Sequence, residues 1–355
     1  MRRKDETSHT MYESFFMLSG KPFQLNPDAG FYFASKGHNR AYAYLKYGVY
    51  QAEGFIVLTG EIGAGKTTMA QALLADIDTS QIVAAQLSST QLEADDLVHA
   101  VAGAFGMPIK PLSKAEILDH FEAHLRSLTA SGRRALLIVD EAQNLTPGAM
   151  EELRMLSNFQ LGTRAMLQSF LVGQPELREI LRAASMKQLR QRVIATYHLG
   201  PMQKEETEAY VLHRMTHVGW KGDPTFEPAV FDRLHKVTGG LPRMINVVCD
   251  RLLLGAFMDQ KHVIGLAEID ETIKEMRAEL GDDALEPEVS NKARNGQVPV
   301  APVAAAALGA RLERIERNVS TAVGLLQRIS GVEAPTASGA AADRRPRFGS
   351  RQSRP

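Results

Sequence analysis

The segment GFIVLTGEIGAGKTT, residues 54–68, sets an apolar, β-branched run against a glycine-rich turn and the start of a helix. It fits the pattern G-x-x-x-x-G-K-[ST], with Gly60, Gly65, Lys66 and Thr67 at the defining positions. The glycines let backbone N–H groups converge on the β-phosphate of a nucleotide. They do so at a helix N-terminus, where unpaired donors and the helix dipole favour anions. Gly60, Glu61, Ile62, Gly63, Ala64, Gly65, Lys66, Thr67 and Thr68 are the expected phosphate contacts. Lys66 would reach the β- and γ-phosphates, and the Thr67 hydroxyl would join the shell of a Mg²⁺ ion. The loop implies a bound nucleoside triphosphate but not what that nucleotide drives.

Outward from the loop, short apolar runs alternate with longer helical patterns. Strands are expected near 55–59, 82–87, 135–139, 168–172 and 193–198. Helices are expected near 39–52, 66–77, 93–105, 114–130, 148–159, 175–184 and 203–217. That alternation predicts an α/β fold, a parallel sheet with helices on both faces. KPFQLNPD, residues 21–28, reads as extended because its prolines disfavour helix. After Asp223 the pattern changes to three helices, near 227–238, 242–259 and 267–279, with no strand between them. The expected organisation is a flexible arm over 1–20, a nucleotide-binding domain over 21–222 and a small helical lid over 223–280. A linker over 281–307 follows, rich in Pro, Ala, Gly and charge. Within 308–330, Leu308, Leu312, Ile315, Val319, Ala322, Leu326 and Ile329 have the four-and-three spacing of a short heptad helix. Residues 331–355 read as a basic, disordered tail.

At 355 residues, 44% of them hydrophobic, the chain is long enough for two domains with cores of their own, or one domain plus appendages. Lys plus Arg and Asp plus Glu both number 41, so no global field points to nucleic acid or an anionic membrane. The one cysteine, Cys249, lies in an apolar helical run and is expected to be a buried, inert thiol. This suits a reducing compartment. The N-terminal MRRKDETSHT has no apolar segment behind it, unlike a secretory signal. The longest candidate span, 301–310, is half of the roughly 20 residues a membrane helix needs. The expected location is the cytoplasm, with any contact to the inner membrane peripheral.

Four further sites carry chemistry. ALLIVDE, residues 135–141, is a buried strand that ends in two acids, an arrangement costly unless a cation meets it. Asp140 is the expected Mg²⁺ acceptor, and Glu141 the base that deprotonates an attacking water. SFLVGQP, residues 169–175, places Gln174 at the same end of a neighbouring strand, within reach of the γ-phosphate or that water. LRQRV, residues 189–193, offers Arg190 and Arg192 just ahead of a strand. GGLPR, residues 239–243, starts a helix with Pro242 near its first position. There Arg243 opposes the helix dipole and so is expected to serve an anion.

Taken together, these residues resemble an AAA+ ATPase over roughly residues 11–280. The resemblance implies ATP and Mg²⁺, with Walker A at 60–67, Walker B at Asp140–Glu141 and sensor 1 at Gln174. It further implies a trans arginine finger at Arg192 or Arg190, sensor 2 at Arg243, and a homo-oligomer as the working form. GFIVLTGEIGAGKTT, DEAQNL, FLVGQPEL, LRQRV and TGGLPRMIN are similar to the ExeA/GspA-like secretion ATPases. They are especially similar to those linked with exosortase/PEP-CTERM and exopolysaccharide loci. Membrane-associated secretion or polysaccharide-assembly proteins are the implied partners. GspA proper carries a membrane span and a periplasmic peptidoglycan-binding domain, and residues after 281 resemble neither. A DNA-handling role like that of the TniB transposition helpers is the alternative. It would need a basic surface, for which Arg178, Arg182, Lys187 and Arg190 are the scattered candidates.

Overall fold

The computed structural model describes residues 11–281 apart from 27, 89–90 and 109–111. The chain divides after Asn291, and all described residues fall within the first unit. The linker, heptad helix and basic tail expected beyond Gly281 lie outside the described residues.

β1 (Phe55–Gly60) is buried at every position, as are β3 (Arg134–Asp140) from Ala135 onward and β6 (Leu167–Gly173) throughout. Largely apolar strands tolerate cover on both faces, which a parallel sheet provides. Together with β2 (Ile82–Ser88) and β7 (Val193–Leu199) they form a five-stranded parallel sheet in the order β2-β3-β6-β1-β7. Side chains alternate across it with the strand period of two. Phe55, Val57, Leu137, Val139 and Leu171 face one core, which is closed by α4 (Ala94–Ala104), α5 (Lys114–Ala130) and α6 (Pro147–Leu156). Ile56, Leu58, Leu136, Ile138 and Phe170 face the other, closed by α2 (Lys36–Gln51) and α3 (Lys66–Ala75).

Local signals set the helix starts. Ser35 caps α2, Ser113 and Glu116 form a capping box on α5, and Thr146 caps α6 with Pro147 in its first turn. α6 ends at Leu156, short of the expected 159, because the chain then turns into a hairpin of β4 (Gln160–Leu161) and β5 (Arg164–Ala165). From β1 the chain passes through α3 to β2 at the far edge, skipping β6 and β3. That reversal opens a crevice at the C-terminal end of β1, where open α/β sheets bind ligands.

Between β6 and β7 lie α7 (Glu176–Arg182) and the one-turn α8 (Lys187–Arg190). The lid follows as α9 (Lys204–His217), α10 (Pro228–Thr238), α11 (Pro242–Met258) and α12 (Leu266–Leu280). Val211 and Met215 of α9 join the lid's core, so the helical layer begins before residue 223. Two-residue strands β8 (Thr225–Phe226) and β9 (Val263–Ile264) pair in parallel inside it, where no strand was expected. Cys249 is buried in this core, and burial pushes its thiol pKa up.

The flexible arm expected over 1–20 is corrected from residue 11 onward. α1 (Met11–Phe15) packs on the lid, burying Tyr12, Phe16 and Leu18 in the same core as α11. The Tyr12 hydroxyl donates to the Asp250 carboxylate, and Phe15 meets Phe257 edge-on. A five-residue helix has no periodicity strong enough to announce itself, and tertiary packing supplies its stability. Phe16→Ala should therefore lower the unfolding free energy by about 3–5 kcal/mol, as for other buried phenylalanines. Denaturant titration of the purified variant measures this, and a cost near zero would mean that α1 does not hold the lid.

Candidate functional site

At the end of β1, Gly63 and Gly65 take left-handed backbone angles, φ 79° and 94°, that favour glycine. Space also dictates Gly63, because a Cβ there would stand 2.4 Å from the Cβ of Arg243. The backbone N–H of Arg243 donates to the Gly63 carbonyl at 3.1 Å, joining the lid to the loop. Lys66 is buried, and its ammonium donates to the carbonyls of Gly60 at 2.8 Å and Glu61 at 3.0 Å. Burial lowers its pKa, opposed by the carboxylates of Glu141, Asp140, Glu61 and Glu176. A cation so desolvated, held by neutral carbonyls, is poised for a phosphate.

The Thr67 hydroxyl donates to Asp140 Oδ2 at 3.0 Å, and the Glu141 backbone N–H donates to Asp140 Oδ1 at 3.0 Å. Hydroxyl and carboxylate thus meet where a Mg²⁺ ion on a nucleotide's phosphates would take both as ligands. This hard oxygen pair, beside a loop that can hold phosphate, fits that ion.

Glu141 adopts φ 52°, ψ 40°, a left-handed conformation that costs a non-glycine residue on the order of 1–3 kcal/mol. Its Oε2 accepts from Gln143 Nε2 at 2.6 Å and from Gln174 Nε2 at 3.1 Å. Gln143 Oε1 in turn accepts the Gln174 backbone N–H at 3.0 Å, which fixes the orientation of the Gln143 amide. Gly173 makes room for it, since a Cβ there would fall 2.7 Å from that oxygen.

Gly63, Gly65, Lys66, Thr67, Thr68, Glu141, Gln174 and Arg243 line one cavity of about 430 Å³. Ile62 lines it as well, and Asp140 adjoins it through Thr67. Arg243 is exposed in the first turn of α11, and its guanidinium has no hydrogen-bond partner among the described residues.

Arg190 and Arg192 lie elsewhere. Phe55 N–H donates to the Arg192 carbonyl at 2.9 Å, so Arg192 stands at the opposite end of β1 from the loop. Five residue steps separate the two, about 16 Å. Arg190 Nη1 donates to the carbonyls of Leu181 and Arg182, each at 2.9 Å, closing the C-terminus of α7. Arg192 Nη1 donates to Ser157 Oγ at 2.8 Å.

Several contributors were not singled out in the sequence. His38 lies beneath the loop, with Nε2 donating to the Ala64 carbonyl at 3.1 Å and Nδ1 accepting from Ser35 Oγ at 2.7 Å. The segment Gln24–Asn26 rims the cavity, and Arg214 holds it by donating to the carbonyls of Pro22 and Gln24 at 3.0 and 3.3 Å. Arg214 is buried against the faces of Phe31 and Tyr210. Burial pushes Tyr210 up to about 12, and its hydroxyl donates to Asn246 at 2.8 Å. KPFQLNPD gave a signal of extended chain but none of its lid partners.

Loop, strand order and helical lid together define a P-loop NTPase of the AAA+ architecture, and that fold implies nucleotide binding. A family model described as an AAA domain matches residues 49–181. Over 255 residues the chain is 40% identical to general secretion pathway protein A of Aeromonas hydrophila, across 72% of this chain and 46% of the relative. The chain thus spans about half the length of that relative. Similar solved structures include Cdc6p of Pyrobaculum aerophilum, with a TM-score of 0.56 and 17% identity, over 74% of this chain and 70% of that one. The ORC2 protein of Aeropyrum pernix scores 0.54 at 16% identity, over 72% and 71% of the two chains. Drosophila ORC bound to DNA scores 0.57 at 15% identity, over 95% and 83%. Likeness at such identities is of fold alone.

His38 gives a pH prediction. Burial lowers its pKa, against the Ala64 carbonyl and the Glu206 carboxylate, which raise it. The unfolded state, titrating near 6.5, binds the proton first, so stability falls as pH drops below about 6.5. His38→Gln should flatten part of the decline in denaturant midpoint between about pH 7.5 and 5.5. An unchanged slope would show that His38 is not held neutral.

Proposed function

We propose that the protein hydrolyses ATP as an oligomeric AAA+ switch or motor serving secretion or envelope assembly. The observation that carries the hydrolytic reading is the Glu141 carboxylate, held by Gln143 and Gln174 in the same cavity as Lys66 and the Thr67–Asp140 pair. Lys66 would exchange its two carbonyls for β- and γ-phosphate oxygens. Thr67 and Asp140 would hold Mg²⁺, which when bound neutralises charge on the phosphates. Glu141 Oε1, which has no hydrogen bond among the described residues, would take the proton of the attacking water. Gln174 and Arg243 would contact the γ-phosphate from the sheet and from the lid.

Arg192, about a strand's length from its own loop, supports a role on the nucleotide of a second copy. Arg190, tied to α7, is the weaker candidate for that role. A trans arginine contributes about 10³–10⁵ in rate, so each subunit alone would be an incomplete catalyst. Secretion as the setting rests on the identity to general secretion pathway protein A, and a membrane-associated secretion protein is the proposed partner. The narrower setting, exosortase-linked exopolysaccharide assembly, rests on the motif resemblance. Among the described residues no helix is long and apolar enough to cross a membrane. Fold likeness to DNA-bound ORC carries no argument for DNA.

Two outcomes test this reading. Glu141→Gln should keep ATP bound while turnover falls by about 10²–10⁴, and full turnover would mean that another residue is the base. Lys66→Ala subunits should be inactive and Arg192→Ala subunits should keep only a small measurable residual rate, and their mixture should recover part of the ATPase rate. No recovery at any ratio would place Arg192 in an intrasubunit role.

A further inference from the structure

Arg192 is braced at its backbone and at its tip. Its N–H donates to the Leu189 carbonyl and its carbonyl accepts from Phe55, both at 2.9 Å. Gly54, at φ 63°, passes so close that a Cβ there would stand 2.4 Å from that carbonyl. At the tip, Nη1 donates to Ser157 Oγ at 2.8 Å. Ser157 is 4% exposed and caps α6, and its own hydroxyl proton is donated to the Arg154 carbonyl at 2.6 Å. The hydroxyl therefore has a fixed polarity and turns a lone pair toward the guanidinium.

Three features suit this serine to aiming a cation at a phosphate rather than storing it. A hydroxyl carries no charge, so it orients the guanidinium without neutralising it as a carboxylate would. The contact uses one of five N–H donors and leaves the rest for an anion. The C-terminus of α6 favours a cation where the guanidinium sits. An open cleft of about 300 Å³ lies beside the pair, lined by Ser157, Arg192, Gln160 and Gln191. The first turn of α6 follows directly on the Glu141–Asn144 segment, so this ten-residue helix joins the two ends of the sheet over about 15 Å.

We propose that Ser157 is the positioning residue for Arg192, holding its guanidinium in the direction from which it meets the γ-phosphate on a second copy of the chain. The proposal rests on the trans reading of Arg192 given above. Ser157→Ala should lower kcat of the assembled protein by about 10–100-fold, the scale of a misplacement near 1 Å. KM for ATP should stay within about twofold, because the subunit's own loop is intact. Mixing Ser157→Ala with Lys66→Ala subunits should restore turnover, since the Lys66→Ala copy presents a correctly aimed Arg192 to the intact loop of its neighbour. In an Arg192→Ala background the serine substitution should have no further effect. Loss of kcat that mixing does not restore, or an equal loss in both backgrounds, would make Ser157 merely structural and overturn the proposal. Full activity of Ser157→Ala beside an impaired Arg192→Ala would overturn it while leaving the trans reading in place. Full activity of Arg192→Ala itself would remove both.

Discussion

The hydrogen bond from Thr67 to Asp140 is the contact around which this molecule is arranged. It joins the first turn of α3 to the end of β3, although β6 lies between β3 and β1 in the sheet. Only a parallel sheet brings the ends of β1, β3 and β6 to one edge, and only buried strands hold that edge still. A carboxylate 8% exposed is costly without compensation. Here one oxygen accepts the threonine hydroxyl and the other the Glu141 N–H. Both are contacts that a phosphate-bound Mg²⁺ could rearrange. Glu141 pays for its place with a strained backbone, and Gln143 and Gln174 fix the carboxylate against drift.

The sheet also separates functions by its length. The glycine-rich loop and the candidate base gather at the C-terminal ends of the strands, where the helical layer brings Arg243 to the same cavity. Arg192 stands just ahead of β7, at the opposite end of the sheet from the glycine-rich loop of its own chain. Under the proposed reading, this separation is what makes assembly part of catalysis. α6 spans the distance, with the Glu141–Asn144 segment before its first turn and Ser157 capping its last.

Much of this was legible in the chain because it depends on local pattern. The loop from Gly60 to Thr67 and the acid pair after ALLIVD are contiguous segments whose chemistry is carried by spacing. Gln174 could be placed beside them from its strand alone. What remained hidden depends on contacts distant in sequence. Gln143 was visible within DEAQNL, but its bridging between Glu141 and the Gln174 backbone appears only when β3 and β6 lie side by side. His38 meets the loop 26 residues away, and Arg214 reaches the Gln24 carbonyl across 190. The aromatics of MYESFFML read as part of a loose arm because five helical residues carry no period, yet the lid core contains them. Arg190 and Arg192 could not be separated by sequence, since both precede β7. Their partners, the end of α7 and the end of α6, separate them.

The central claim is that each subunit is an incomplete ATPase completed by its neighbour. The most direct measurement is ATP turnover per subunit across a wide range of protein concentration, with molecular mass determined on the same samples. The account predicts that turnover per subunit rises steeply as monomers assemble and levels off once assembly is complete. Full turnover by strictly monomeric protein at every concentration would contradict it.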